Sequence, residues 1–392
     1  MTKHSQRLTR IVVTIVALAT SLAFVGTAAA QCPGTTFTGG LQLPSKIIQG
    51  NKGNLIVAEA GTFAPNSGRI SIVDAQGNRR TLIEGLPSGI NEIGDISGTS
   101  GLYLQGRTLY IVNGEGDATL AGPIPGTELP NPAPSSPIIS SVLALHFSDE
   151  VEKTTSGFTL SLADHQALKN GDKLRLDKGK GDKITLELVA DFPNYSPDSL
   201  PFFPPNVRHY NPYGVTKIGD NLFVSDGGQN AVFRVDAHSG SISRLTTFPP
   251  IPNPLFPGFG GPVIEAVPDS IREFDGQLFV TLLRGFPFLP GNATVMKVNP
   301  STGAATPLIT GLTSAIDVLP VKEKGKTSYL TLEISTNLLA GNPGRLQRFA
   351  TPAGPGTVIS NCLISPSSMV RDGDNLYVTE IFTGRIIKIP AQ

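Results

Sequence analysis

Tryptophan is absent, methionine occurs 3 times and cysteine 2 times among the 392 residues. Without tryptophan the large aromatic platforms common in sugar sites are missing, although Tyr and Phe can replace them, so the exclusion of carbohydrate ligands is partial. Charge of either sign is sparse, with 31 Lys and Arg against 31 Asp and Glu and a net charge of zero. That balance leaves no electrostatic footprint for nucleic acid or for an anionic membrane surface. Beyond the first thirty residues no apolar run approaches the roughly 18 to 20 residues of a membrane span. The histidines after that point, His146, His165, His209 and His238, fit no zinc spacing. Gly325-Lys326-Thr327 lacks the upstream glycine of a phosphate loop.

At the N-terminus Lys3, Arg7 and Arg10 precede an apolar run from Ile11 to Val25 and then Ala28-Ala29-Ala30, the three-part pattern of a secretory signal over residues 1–30. The expectation is an exported chain from Gln31, secreted or periplasmic, without a lipid anchor because Gln31 rather than a small residue precedes Cys32. An oxidising compartment permits a bond between Cys32 and Cys362. Counted along the strands assigned below, the two cysteines stand about 20 Å apart at roughly 3.3 Å per residue. A bridge needs Cα atoms within about 7 Å, so bonded and unbonded states both stand.

What fills the rest of the chain is a sixfold repeat. An apolar strand of the form Leu-x-Val, closing in most copies on an oxygen-bearing residue, recurs at 54–59, 108–113, 221–226, 277–282, 328–333 and 375–380. Gly 43 and Pro 33 fall between these strands as turn punctuation. A period of roughly 40 to 50 residues built from short period-2 strands predicts an all-β, six-bladed β-propeller. Each repeat is strand b of a blade. It is preceded by an innermost strand a and followed by strands c and d, giving blades at about 44–86, 87–193, 207–249, 262–312, 313–363 and 364–390. In the second blade, Ser88-Gly89-Ile90-Asn91-Glu92-Ile93 fits the pattern of strand a. The sixth blade lacks a strand d before the chain ends, and Thr35 to Leu41 supplies one from residues 34–43, closing the ring and covering an open edge.

That register sorts the loops by face. Most long loops join b to c or d to a, on the top face, and are rich in Pro, Gly and Phe. Phe202, Phe203, Phe256, Phe286 and Phe288, with Phe259, form either an apolar lid for a ligand, with Tyr213 below on strand a of the third blade, or small satellite cores under their own loops. The insertion at 148–182 joins c to d in the second blade; Ser161 and Gly171 bracket a short helix there, and its Lys and Asp residues read as a solvated hairpin. The ends of strands b, Glu59, Asn113, Asp226, Leu282, Glu333 and Glu380, either converge on a cation or cap their own turns. Glu92, Asp269 and Asp317, assigned to innermost strands, are either structural, with no cofactor in the channel, or the better metal candidates, for Ca²⁺ or another divalent ion. His209 is the histidine nearest the channel mouth and the candidate general base.

Asn221 to Asp236 resembles the NHL-type propeller repeat, a strand, an Asp, a Gly-Asn turn and a strand. Across nearly the whole chain, the order signal segment, Pro-Ser-Lys-Ile, Ile-Asn-Glu-Ile-Gly-Asp, Asn-Pro-Tyr-Gly-Val and Pro-Ser-Ser-Met is similar to the ScyD/ScyE family. That resemblance implies an exported propeller with no established activity. The Phe- and Pro-rich top-face loops point to an accessory or binding protein, expected to be a monomer, that takes a small apolar ligand or a protein partner. The alternative is a metal-assisted hydrolase or lyase working in the channel, as in gluconolactonase-type lactonases and streptogramin lyases. No complete ligand set of those enzymes matches here residue by residue.

Overall fold

The structure, a computed structural model, describes residues 32–391 apart from Lys52 and Lys180; the expected signal segment lies outside the described residues. It is a six-bladed β-propeller. Strands b fall at Leu55–Glu59, Thr108–Asn113, Asn221–Asp226, Gln277–Leu282, Lys326–Glu333 and Asn375–Glu380, each in the middle of an antiparallel blade. Their two faces serve different neighbours. Leu109 and Ile111 pack toward the first blade with Ile70 and Ile72, whereas Tyr110 and Val112, one residue out of phase, pack toward the third with Val224 and Phe233. This period-2 division, with apolar residues on both faces, is why the strands read as continuous apolar runs. Burying each large aliphatic side chain contributes about 1.5 to 3 kcal/mol, so the blades hold one another chiefly through these seams.

The sixth blade is completed by the N-terminal strand Thr35–Thr38, which pairs antiparallel with Arg385–Pro390 in the register Thr35 to Lys388, Thr36 to Ile387 and Thr38 to Ile386. Cys32 and Cys362 form a disulfide with a Cα separation of 5.6 Å. The expected 20 Å came from counting rise along flat blades. Successive strands rotate by about 20 to 25°, so outer strands of neighbouring blades are inclined across one another and their ends approach.

The innermost strand of the second blade is Thr99–Gln105, not residues 88–93. A two-residue turn, Gly106-Arg107, joins it to strand b, like Gly219-Asp220 and Asp275-Gly276 elsewhere. Residues 88–98 instead form a top-face excursion in which Gly89–Ile90 pairs with Ile96–Ser97. Glu92 therefore sits on a loop rather than on the channel wall.

The insertion climbs the outside of the ring. Helix α1 (Asp149–Thr154) begins at the bottom, where buried Glu152 accepts from Asn51 and Asn54 of the first blade's a-to-b turn. Phe158–Thr159 then adds a parallel fifth strand to the first blade, and Leu174–Asp177 a fifth strand to the second. Between them helix α2 (Leu162–Lys169) carries a capping box of Ser161 and Asp164. Its His165 is buried and bonded at 2.8 Å to the Gly85 carbonyl and at 3.0 Å to Ser136 Oγ. Residues 148–182 are thus a clamp across the first two blades.

Candidate functional site

The residues closing strands b act locally. Glu59, Glu333 and Glu380 each pair with the arginine opening strand c, Arg69, Arg345 and Arg385. Each also accepts a backbone N–H from just before strand a, from Gln42, Thr313 and Ile364. Asp226 takes the N–H groups of Asn211 and Gln229 in the same way, and Asn113 bonds Thr99 and Ser141. These contacts satisfy orphan backbone groups at the blade tops.

Of the three acids expected on innermost strands, Asp317 and Asp269 do lie on the channel wall. Asp317 is fully buried and accepts from Ser270, Arg272, Ser368 and the backbone N–H groups of Val318 and Met369, Arg272 using both Nε at 3.0 Å and Nη2 at 2.6 Å. Burial opposes its ionisation, yet Arg272 and Lys46 hold it well below the usual carboxylate range. It is the knot joining the fourth, fifth and sixth blades. Asp269 is buried with Oδ2 unbonded, and burial pushes its carboxyl well above the normal range. Tyr213, on the innermost strand of the third blade, feels both carboxyls, and burial raises its phenol as well.

The third acid, Glu92, meets His209 on the top face. His209 ends the short strand Val207–His209, which pairs with Tyr195–Pro197 in the loop entering the third blade. Its Nδ1 lies 2.9 Å from Glu128 Oε2 and 3.8 Å from Glu92 Oε1, and its Nε2 lies 3.0 Å from Glu115 Oε2. Glu115 follows strand b of the second blade, and Glu128 belongs to Glu128–Pro130, paired with Thr119–Ala121 in the same loop. The His209 contact to Glu115 is an ion pair rather than an aligned hydrogen bond; Asn91 Nδ2 donates to the other Glu115 oxygen at 2.9 Å. Gly228, in the turn of the NHL-like repeat, is required here, because a Cβ on it would stand 2.5 Å from His209 Cδ2.

Burial alone would lower the His209 pKa, but Glu115, Glu128 and Glu92 override it and hold the imidazolium up to about 10. Burial also pushes Glu115 to about 7 against the attraction of His209, and raises Glu92. One cation among three carboxylates cannot compensate them all. The group lines a cavity of about 410 Å³ that also carries Asp198, Glu265 and Arg208, and Arg208 is itself paired with Glu265 at 3.2 Å. Glu115 and Asn91 further line a 210 Å³ cavity leading into the upper channel beside Tyr213. Ligand atoms of Glu92, Glu115 and His209 lie within 4.8 Å of one another, the spacing a metal ion needs.

The phenylalanines lie elsewhere. Phe202, Phe256 and Phe286 are exposed, Phe203 and Phe288 half-buried, and Phe259, Phe286 and Phe288 stack with centroids 4.9 and 6.0 Å apart over the fourth blade. None of them lines the cavity above His209.

No family model matches the sequence, and no curated protein matches it. Among solved structures the chain is similar to the PQQ-bound aldose sugar dehydrogenase of Streptomyces coelicolor, at 14% identity and TM-score 0.50, over 92% of this chain and 97% of that one. It is also similar to a putative glucose dehydrogenase of Thermus thermophilus, at 14% identity and TM-score 0.48 over 91% and 98% of the two chains. Virginiamycin B lyase of Staphylococcus aureus follows at 14% identity and TM-score 0.41, over 88% and 94%. At such identities the likeness to the aldose sugar dehydrogenase supports the propeller fold and nothing finer.

Proposed function

We propose that this protein is an extracytoplasmic binding propeller of the ScyD/ScyE type whose top-face cavity takes up a divalent transition-metal ion and a small polar ligand with it. The observation that carries this is the convergence of Glu92, Glu115 and His209, with Glu128 beside them, in a cavity lined by five carboxyl groups and two bases. Mixed imidazole and carboxylate donors suit Zn²⁺ or Mn²⁺ better than Ca²⁺, which favours an all-oxygen shell. The disulfide, the signal-like leader and the ScyD/ScyE resemblance support export. Among the described residues no helix is long and apolar enough to cross a membrane.

The test is calorimetric titration of the purified exported chain with Zn²⁺ and Mn²⁺. Binding is expected, with loss in His209→Gln and Glu115→Gln and retention in Phe202→Ser and Phe286→Ser. No heat and no thermal shift with either ion would refute it.

A second function, metal-assisted hydrolysis or lyase chemistry, is favoured by the placement of Glu115. A carboxyl held at about 7 beside an imidazolium at the mouth of a channel is suited to general acid–base work. Metal-dependent turnover of a lactone or ester panel, abolished in Glu115→Gln, is the corresponding test.

A further inference from the structure

At the other end of the channel the charge balance is reversed. The bottom mouth holds a cavity of about 250 Å³ lined by the lower halves of innermost strands, among them Lys46, Tyr103, Thr216 and Arg272. Lys46 is 6% exposed. Its ammonium bonds Ser270 Oγ at 3.4 Å and forms a long ion pair with Asp317 Oδ1 at 3.7 Å. Asp317 has little left to offer, since both of its oxygens already accept from Arg272 and from hydroxyl and backbone donors. One buried carboxylate, Asp317, thus faces two buried cations, and Arg272 holds it at shorter range than Lys46, which leaves an excess of positive charge at Lys46. A buried ammonium in that position needs an anionic partner or gives up its proton.

We propose that the lower channel mouth is a binding site for a small organic carboxylate, with Lys46 as its counter-ion and the hydroxyl groups of Thr216 and Tyr103 as further donors. The site is independent of the metal-binding cavity on the top face. Arg272 lines it but has Nε and Nη2 committed to Asp317 and to the Met369 carbonyl, which leaves Lys46 as the group whose charge the ligand answers. Glu273 also lines the mouth and sets an upper limit on charge, since a multiply charged anion would be repelled there. Burial and then Arg272 hold the Lys46 ammonium down to about 8 against the opposing attraction of Asp317, in keeping with a cation that shares its one carboxylate with an arginine.

The experiment is saturation-transfer NMR and thermal shift of the full exported chain with sodium acetate, with sodium chloride in parallel at equal ionic strength. Acetate is expected to give a saturable signal and a rise in melting temperature. Both should vanish in Lys46→Met and persist in Glu115→Gln. Removal of an excess buried charge should leave the ligand-free melting temperature of Lys46→Met unchanged or higher. An unfolded Lys46→Met, or one melting several degrees lower, would show that Lys46 is a structural partner of Asp317 and would overturn the site. Independently of any variant, the resonance of ¹³C-methylated Lys46 in the otherwise native chain should move with acetate. No movement, an equal acetate effect in Lys46→Met, or a response to chloride alone would each overturn the proposal.

Discussion

The imidazole Nε2 of His209 stands 3.0 Å from Oε2 of Glu115, joining the loop that enters the third blade to the loop that leaves strand b of the second. Asn91, from the excursion before the second blade, fixes the other oxygen of that carboxylate. Three loops thus meet on one carboxyl group.

Asn91→Ala leaves every candidate metal ligand in place but frees Glu115 to rotate. Outer-shell partners of this kind typically carry roughly 10- to 100-fold in metal affinity. A loss of at least about tenfold in Zn²⁺ affinity, with an unchanged melting temperature in the absence of metal, is expected from calorimetry. Full retention of affinity would remove Asn91 from the site.

Asp269 gives a pH signature. Its carboxyl is raised well above 3.8 by burial, so the folded protein keeps a proton that the unfolded chain has released. Stability therefore falls as pH rises from about 3.8 toward the folded value. Asp269→Asn removes that slope, and its melting temperature should equal or exceed the native one at pH 7.5 while the two converge at low pH. A loss of stability in the variant at pH 7.5 would contradict a carboxyl destabilised by burial.

Removing the Asp317 carboxylate leaves Arg272 buried without its partner. Asp317→Ala is expected to cost about 3 to 5 kcal/mol, measured by urea denaturation. A cost under about 1 kcal/mol would show that the inner ring does not depend on this knot.

The bond between Cys32 and Cys362 spans 330 residues of sequence, and the chain-entropy account assigns a closure of that length about 6 kcal/mol. Cys32→Ser and reduction with dithiothreitol should lower stability by similar amounts. Deleting residues 31–43 should cost more than either, because strand Thr35–Thr38 goes as well and Arg385–Pro390 becomes an open edge.

Much of the ring was legible because each strand b, buried on both faces, keeps its own apolar signature wherever it falls. Strand a of the second blade was misplaced because Ser88 to Ile93 copies the alternation of a true inner strand. The signal against it was the turn: counting back two residues from Thr108, as the Gly219-Asp220 and Asp275-Gly276 hairpins suggest, reaches Gln105. Glu92 and His209 were each singled out in the sequence, but for different roles, and nothing local joined them. Glu115 and Glu128 were not singled out at all. Both sit in a Gly- and Pro-rich loop whose path is set by pairing of Thr119–Ala121 with Glu128–Pro130, a contact with no strand-length pattern to betray it. The apolar loops drew attention to Phe residues of which three, Phe259, Phe286 and Phe288, pack on one another over the fourth blade, and none lines the polar cavity.

Strand exchange and the cysteine bond together make the ring covalently circular from Cys32 to Cys362. A single backbone cut in any loop between those residues leaves one connected molecule until the bond is reduced. A cut beside Asp177 would thus give two polypeptides that stay joined through the cysteine bond, with the same blades in the same order around the axis.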